Sequence, residues 1–182
     1  MPVTGFGLAQ CDGLAARVLE YCKRHGVKIA AAESLTGGLL ADAFVRIPGA
    51  SEVFLGSAVT YDIRAKAKIL GVDASLLARE GAVHPEVARQ MAAATARLYD
   101  QPEYGGRVIG LSTTGVAGPG PDGDKPAGLV YIGCSLPAVL TGGERTESAV
   151  ELHLHGDRGQ VREQTVWHVL NNVRQLTVGL QE

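Results

Sequence analysis

Small polar residues cluster at three points where a predicted strand ends. These clusters are Glu33-Ser34-Leu35-Thr36-Gly37-Gly38, Thr60-Tyr61-Asp62 and Ser112-Thr113-Thr114-Gly115. Parallel strands bring their carboxyl ends to one edge of a sheet, and open α/β folds bind ligands at that edge. A right-handed crossover of strand, helix and strand would link the first cluster to the second. We therefore predict that the three clusters lie close together.

The first cluster contains a candidate nucleophile, Ser34, placed just before a predicted helix. Free backbone amides at a helix N-terminus, together with the Cβ-free backbone of Gly37 and Gly38, can hold an anion. That anion would be either a phosphate or the oxyanion of an acyl-transfer reaction. The alternative is that Ser34 or Thr36 only caps the helix, and the first cluster taken alone favours the cap.

The second cluster places a phenol and an amine near each other. Asp62 is predicted to cap a helix that starts near Ile63, which puts Lys66 about one turn into that helix. A lysine ammonium beside the Tyr61 hydroxyl would favour the phenolate and make the tyrosine a better base. The alternative is an ordinary tyrosine at a strand end and a solvated lysine, which is the commoner situation for both residue types.

The remaining sequence predicts the elements that position these clusters. Predicted helices cover 10–25, 39–46, two short stretches within 62–80, 85–99, and a last stretch that Asp157 caps and Gly179 closes. Predicted strands cover 27–32, 52–61, 107–113, 127–136 and 144–154. Helices and strands alternate in the first half, and two strands adjoin late in the chain. This order predicts an α/β fold with a mostly parallel, partly antiparallel sheet of about five strands, in a single domain over 1–182.

Composition excludes several classes of function. The formal net charge is −2 and the basic residues are scattered, so a nucleic-acid surface is not expected. There is neither a signal-like N-terminus nor an apolar stretch of membrane-spanning length, which predicts a cytoplasmic protein with no membrane partner. The three cysteines, Cys11, Cys22 and Cys134, have no ligand-like spacing and are predicted to be reduced packing residues.

Neither a metal nor a cofactor is expected. The loop Gly118–Gly123 formally matches GxGxxG, but it carries prolines and leads into a strand instead of opening a helix, so it does not predict a dinucleotide site. His153 and His155 would lie on one face of a strand, but with no third ligand they are interpreted as structural.

Three ordered motifs resemble the CinA C-terminal domain family, which includes nicotinamide-nucleotide amidohydrolases. The motifs are Ala32–Leu40 (AESLTGGLL), Gly56–Tyr61 with Lys66, and Thr114–Pro119. Shorter stretches that agree with the family are Leu70-Gly71-Val72, Gly81-Ala82-Val83, Lys125-Pro126-Ala127-Gly128 and Gly156-Asp157-Arg158. The likeness extends over about residues 10–178.

The resemblance implies a three-layer α/β/α fold, a homo-oligomer, and hydrolysis of nicotinamide mononucleotide to nicotinic acid mononucleotide and ammonia. It also implies a catalytic Ser–Tyr–Lys set, which corresponds here to Ser34, Tyr61 and Lys66. One departure is that Leu35 stands where the family commonly has cysteine, so no cysteine nucleophile is available at that place. Another is His84-Pro85, where Ser-Glu is usual; it falls at a helix start.

On this interpretation, Lys66 keeps Tyr61 basic and Tyr61 takes the proton of Ser34 as it attacks the carboxamide. Backbone amides around Leu35 to Gly38, or those near Gly115, would stabilise the oxyanion, and the other glycine-rich turn would hold the substrate phosphate. The sequence does not show which turn has which role. The residues predicted to bind substrate are Glu33, Thr36, Gly37, Gly38, Thr113, Thr114, Gly115 and Arg158. Two alternatives remain open: a non-catalytic nucleotide- or partner-binding module, and a serine amidohydrolase acting on another amide nucleotide.

Overall fold

The computed structural model describes residues 8–178. They form a five-stranded sheet in the order β2-β1-β3-β4-β5. The strands are β1 Lys28–Glu33, β2 Phe54–Val59, β3 Val108–Gly115, β4 Leu129–Leu136 and β5 Thr146–His153. β1 pairs in parallel with both β2 and β3, whereas β4 pairs antiparallel with β3 and β5. The predicted α/β class and mixed sheet are confirmed, and the described pairings divide evenly between parallel and antiparallel.

Helices cover both faces of the sheet and complete three layers. On one face lie α1 Leu8–His25, α2 Leu39–Val45 and α7 Arg158–Thr177, which contact one another. On the other face lie α3 Ile63–Leu70, α4 Ala74–Glu80 and α5 Pro85–Leu98. A short helix that the sequence did not predict, α6 Ala138–Thr141, lies between β4 and β5. Gly179, predicted to close the last helix, lies outside the described residues.

Glycines let α5 lie directly on the sheet. A Cβ built on Gly110 of β3 would sit 1.9 Å from the carbonyl oxygen of Ala92, and one on Gly133 of β4 would sit 2.3 Å from that of Ala88. Both distances are far below van der Waals contact, so a larger residue at either position would push the helix away. The close approach accounts for the buried alanines Ala88, Ala92 and Ala96 on the face of α5 that lies on these glycines.

The N-terminus of α7 is fixed by a capping box. The Asp157 carboxylate accepts a hydrogen bond from the Gln160 amide, and the Gln160 side chain accepts one from the Asp157 amide. The sequence predicts an apolar stripe along this helix, formed by Val161, Thr165, Val169, Val173 and Leu176. The stripe is confirmed, because the first four are buried and Leu176 packs partly buried against the core. This arrangement places the first turns of α7 beside the carboxyl ends of β1 and β2.

The second strand is shorter than predicted. A 3₁₀ turn, Ala50–Glu52, precedes β2, and the strand ends at Val59. Thr60 and Tyr61 therefore lie beyond the strand, in the connection to α3. The Thr60 amide still donates to the Glu33 carbonyl oxygen at 3.0 Å, which keeps this connection against the end of β1.

Candidate active site

Ser34 begins a tight turn between β1 and α2. Its amide donates to the Thr113 carbonyl oxygen at 3.1 Å, and its carbonyl oxygen accepts from the Gly37 amide at 3.1 Å. Gly37 and Gly38 have φ angles of 55° and 103°, in the left-handed region that side chains disfavour. The two glycines therefore allow the chain to turn from strand to helix within a few residues, and Ser34 ends up almost buried, at 8% exposure.

Lys66 reaches Ser34 from the neighbouring element. The Asp62 carboxylate caps α3 by accepting from the Arg64 and Ala65 amides, as predicted, and this puts Lys66 in the first turn of α3. The Lys66 side chain is fully buried, and its Nζ donates to Ser34 Oγ at 2.9 Å. Two backbone carbonyls also accept from Nζ: Thr60 O at 2.5 Å and Tyr61 O at 3.4 Å. The candidate nucleophile and an amine are thus in direct contact.

The surroundings of Lys66 favour its neutral form. Burial lowers the pKa of Lys66 from its usual 10.5 to about 8, and the nearby Asp62 carboxylate opposes this only in part. An ammonium has three N–H donors, and Ser34 and the two carbonyls accept all three. When the amine loses a proton, two N–H groups can stay on the carbonyls and the lone pair then faces Ser34 Oγ. The geometry suits a base for the serine hydroxyl.

Glu33 caps α2 and stabilises the Ser34 turn. Its buried Oε2 accepts from the Thr36 hydroxyl at 2.7 Å and from the Gly38 and Leu40 amides at 2.9 and 3.0 Å. Its Oε1 accepts from the Ala41 amide at 3.0 Å and the Ser57 hydroxyl at 2.8 Å. The expectation that this helix start offers free amides to a substrate anion is therefore wrong, because the protein's own carboxylate occupies it.

A directed chain of hydrogen bonds links Glu33 back to Ser34. The Thr36 hydroxyl uses its one O–H to donate a hydrogen bond to the carboxylate. Thr113 is therefore the donor in the 2.9 Å bond between the two threonine hydroxyls. The Thr113 oxygen then accepts from the Ser34 amide at 3.3 Å. Both threonines were predicted to bind substrate, but in the structure their side chains hold the Ser34 turn.

Two further predicted substrate-binding residues, Thr114 and Gly115, also have structural contacts. The Thr114 hydroxyl donates to the Ala82 carbonyl oxygen at 2.7 Å, which ties the end of β3 to the loop before α5. Gly115 packs so closely against β4 that a Cβ would sit 2.7 Å from the Leu129 carbonyl oxygen. The glycine at this position is explained by strand packing.

Tyr61 differs most from the expected arrangement. Its side chain is 61% exposed, and its hydroxyl bonds to the Arg158 guanidinium at 2.9 Å. Arg158 also donates to the Gly118 carbonyl oxygen at 2.6 Å. Lys66 contacts the carbonyl oxygen of Tyr61 and not its hydroxyl, so the predicted lysine–phenol contact is not what the structure contains. The physical reason is that Lys66 points inward from α3, whereas Tyr61 lies outside the end of β2.

Sequence reasoning missed two residues of this site. Arg162 donates to the Leu35 and Thr36 carbonyl oxygens at 2.8 and 2.9 Å, and the available signal was its place one turn after Arg158 on α7. Thr60 supplies the closest carbonyl to Lys66, and its own buried hydroxyl has no hydrogen-bond partner within residues 8–178. A buried hydroxyl without a partner is a place where a water or ligand atom would be stabilised.

The described residues also bear on the other expectations from sequence. Within 8–178, no three His, Cys, Asp or Glu side chains are grouped so that they could hold a metal ion. No described helix is long and apolar enough to cross a membrane. Cys11, Cys22 and Cys134 are buried and unpaired, as predicted.

The fold and site define a class: a three-layer α/β protein with a buried serine–lysine pair at the carboxyl edge of its parallel strands. The family model of the CinA C-terminal domain matches residues 11–177 of this chain. The chain belongs to the CinA C-terminal domain family, as its motifs predict.

Relatives and solved structures agree with this assignment. The chain is 43% identical over 170 residues to a CinA-like protein of Frankia casuarinae, covering 93% of this chain and 36% of the relative. It is 41% identical over 165 residues to a CinA-like protein of Myxococcus xanthus, covering 90% and 36%. The chain thus spans about a third of the length of the curated relatives it matches.

The fold matches proteins of its own size as well. The crystal structure of competence/damage inducible protein CihA from Agrobacterium tumefaciens superposes with a TM-score of 0.80 at 30% identity, covering 95% of this chain and 98% of that one. A competence-damaged protein (CinA) superfamily protein from Escherichia coli gives 0.78 at 26% identity, covering 96% and 95%.

Proposed function

We propose that this protein is an amidohydrolase that converts nicotinamide mononucleotide to nicotinic acid mononucleotide and ammonia, with Ser34 as nucleophile. The observation that carries the proposal is the 2.9 Å contact between Lys66 Nζ and Ser34 Oγ, with both side chains buried. The lowered pKa of Lys66, about 8, supports the role of base near neutral pH. The choice of substrate rests on the family resemblance.

The reaction proceeds in two stages through an acyl-enzyme. Neutral Lys66 accepts the Ser34 proton as Oγ attacks the carboxamide carbon. The tetrahedral intermediate collapses, the C–N bond breaks, and the proton on Lys66 leaves with the amine as ammonia. A water molecule then gives a proton to Lys66 and attacks the ester. Breaking the ester C–O bond returns that proton to Ser34 and releases the carboxylic acid.

Two buried amides next to Ser34 are candidates for oxyanion stabilisation. Within residues 8–178, no hydrogen-bond acceptor is assigned to the backbone N–H of Leu35 or Thr36, although these residues are 4% and 0% exposed. Buried amides without an acceptor are rare in proteins, and donors beside a nucleophile are what an acyl-transfer intermediate requires. The Gly38, Leu40 and Ala41 amides at the start of α2 cannot take this role, because the Glu33 carboxylate already accepts from them.

Tyr61 and Arg158 enter the proposal as substrate contacts at the exposed rim of the site. The Arg158 guanidinium is exposed and has no carboxylate partner among the described residues, which suits a phosphate group. In this scheme Lys66 is the base, and Tyr61 orients Arg158. We further propose that the protein works in the cytoplasm as a homo-oligomer, without metal or cofactor.

The test is ammonia release from nicotinamide mononucleotide, measured for the wild type and for Ser34→Ala without added metal. We expect the substitution to lower turnover by as much as ~10⁶-fold, because the covalent step cannot occur without Oγ. Ser112→Ala is the matched control: Ser112 is also a buried serine, but its hydroxyl donates to the Ala88 carbonyl oxygen at 2.6 Å, away from Lys66.

Near-normal turnover by Ser34→Ala would eliminate the covalent mechanism. Wild-type protein that binds pyridine nucleotides but releases no ammonia from any of them would favour a binding module. Ammonia from a different amide nucleotide alone would keep the mechanism and change the substrate.

A further inference from the structure

We propose that Arg162 is a positioning residue for the reaction. It holds the peptide that joins Leu35 to Thr36, so that the Thr36 N–H can donate a hydrogen bond to the oxyanion. This inference rests on the proposed function, and it concerns a residue that the predicted catalytic set does not contain. Arg162 is distant in sequence from Ser34 and reaches the nucleophile's turn only because α7 packs beside α2.

The first support is the pattern of contacts that the guanidinium makes. Arg162 Nε donates to Leu35 O at 2.8 Å, and a second guanidinium nitrogen donates to Thr36 O at 2.9 Å. These are successive carbonyls directly after the nucleophile. The two nitrogens belong to one planar fork, so the two carbonyls are held in a fixed relation to each other.

The second support follows from the planarity of the peptide bond. In a trans peptide the C=O and N–H groups point in opposite directions. Since Leu35 O points toward Arg162, the N–H of the same peptide, which belongs to Thr36, points away from α7. The next peptide is held in the same way, and its N–H, on Gly37, donates to Ser34 O at 3.1 Å. Of the two N–H groups that Arg162 directs, the Thr36 N–H is therefore the one for which residues 8–178 provide no acceptor.

The third support is the charge of Arg162. No Asp or Glu side chain lies within ion-pair distance of it among the described residues, and its acceptors are neutral carbonyls. A cation on a carbonyl oxygen polarises the whole peptide and makes the N–H at its other end a stronger donor. The same arginine therefore both orients and strengthens the proposed oxyanion donor.

A second arginine provides a matched control. Arg145 also donates to two backbone carbonyls, Val108 O at 3.0 Å and Gly106 O at 2.7 Å, but at the amino end of β3, opposite the Ser34 edge. Replacing either arginine by lysine leaves the charge and removes the fork. A purely structural role for Arg162 predicts that Arg162→Lys and Arg145→Lys lose activity only in proportion to their loss in unfolding temperature.

The experiment compares both variants with the wild type by three readouts. The first is kcat and KM for nicotinamide mononucleotide. The second is the rate at which a fluorophosphonate probe labels Ser34, measured by intact-protein mass spectrometry, and the third is the unfolding temperature. We expect Arg162→Lys to lower kcat and the labelling rate by about 10- to 100-fold with KM within about twofold, because a weakened oxyanion donor acts on the transition state. Arg145→Lys should leave both rates within about twofold of the wild type.

Equal labelling of Arg162→Lys and the wild type would overturn the inference, and so would parallel losses in the two variants. The labelling rate does not depend on the substrate. A wild type that is labelled at Ser34 but inert toward nicotinamide mononucleotide would therefore refute the proposed function, and labelling of Arg162→Lys would still decide this inference. A wild type that is neither labelled nor active would overturn both.

Discussion

Glu33 and Lys66 are both fully buried beside Ser34, but the protein surrounds them differently. The Glu33 carboxylate accepts hydrogen bonds from three backbone amides and two hydroxyls. Lys66 has two carbonyls and the Ser34 hydroxyl, and its burial lowers its pKa to about 8. None of the five partners of Glu33 is the candidate nucleophile's hydroxyl, whereas one of the three partners of Lys66 is Ser34 Oγ.

This difference indicates that the Glu33 carboxylate stabilises the structure, whereas the Lys66 amine is placed to exchange a proton. A buried carboxylate with many donors resists any change of partner, because each lost bond leaves an unpaired group. A buried amine held by two carbonyls can lose a proton at a modest cost, which is what a base must do. We therefore expect substitution of Glu33 to affect stability first, and substitution of Lys66 to affect the reaction first.

Among the substitutions that test this comparison, the largest effect should come from Lys66→Met, which keeps the volume of the side chain and removes the amine. We expect kcat to fall by about 10²- to 10⁴-fold, the usual contribution of general acid–base catalysis. The unfolding temperature at pH 7 should change little, because the gain from no longer burying an ammonium offsets the loss of the hydrogen bonds to the Thr60 and Tyr61 carbonyls. The measurement is ammonia release together with thermal unfolding, and Lys68→Met, an exposed lysine on the same helix, is the control.

The pH dependence of kcat/KM and of stability tests the same residue, and the direction of both changes follows from the lowered pKa of Lys66. A base must be neutral, so wild-type kcat/KM should rise with pH and level off above about 8, whereas any residual activity of Lys66→Met should lack this limb. Between pH 8 and 10.5 the folded state binds fewer protons at Lys66 than the unfolded state does. The free energy of unfolding should therefore increase as pH rises through this range. A wild-type profile without a transition near pH 8 would contradict the role of base.

An intermediate effect is expected for Glu33→Gln, and on stability. The amide places an NH₂ group where a carboxylate oxygen accepted, so at least one amide donor, such as that of Ala41, loses its acceptor. We expect the free energy of unfolding to fall by about 2–3 kcal/mol, measured by urea denaturation. Glu52→Gln, in an exposed ion pair with Lys23, should cost less than about 1 kcal/mol. A Glu33→Gln variant as stable as the wild type would show that the turn does not depend on this carboxylate.

The fold was largely predictable because its signals are local. Caps at Asp62 and Asp157, the proline at the start of α5 and the apolar stripe of α7 all lie within their own elements. Parallel pairing followed from the alternation of helices and strands. The end of β2 was predicted two residues too late, because apolar and β-branched residues continue past the point where the chain leaves the sheet.

The site was predictable only in part, because its contacts join distant segments. Topology indicated that the Ser34 cluster and the Tyr61 cluster come together, and Lys66 was expected beside the Tyr61 hydroxyl. Sequence could not show whether Lys66 would face the serine or the phenol, since that depends on the direction in which α3 leaves the strand end. The role of Glu33 was also hidden, because a glutamate at a strand end gives no sign that the following turn folds back onto it.

The smallest effect is expected for Tyr61→Phe, and it tests whether Tyr61 belongs with Lys66 or with Arg158. If the Tyr61 hydroxyl were the base for Ser34, its removal would lower kcat as strongly as Lys66→Met does. In the structure the hydroxyl contacts Arg158 at 2.9 Å and the ring is mostly exposed, so its removal takes away one exposed hydrogen bond to a charged group. We expect KM to rise by about two- to tenfold, which corresponds to about 0.5–1.5 kcal/mol, while kcat stays within about threefold of the wild type. Steady-state kinetics distinguishes the two results, and Tyr131→Phe, which removes a hydroxyl bonded to Glu151 on β5, controls for the loss of a phenol elsewhere. A drop in kcat of a hundredfold or more would return Tyr61 to the reacting atoms and would require a ligand-bound arrangement of the β2–α3 connection in which the phenol turns toward Ser34.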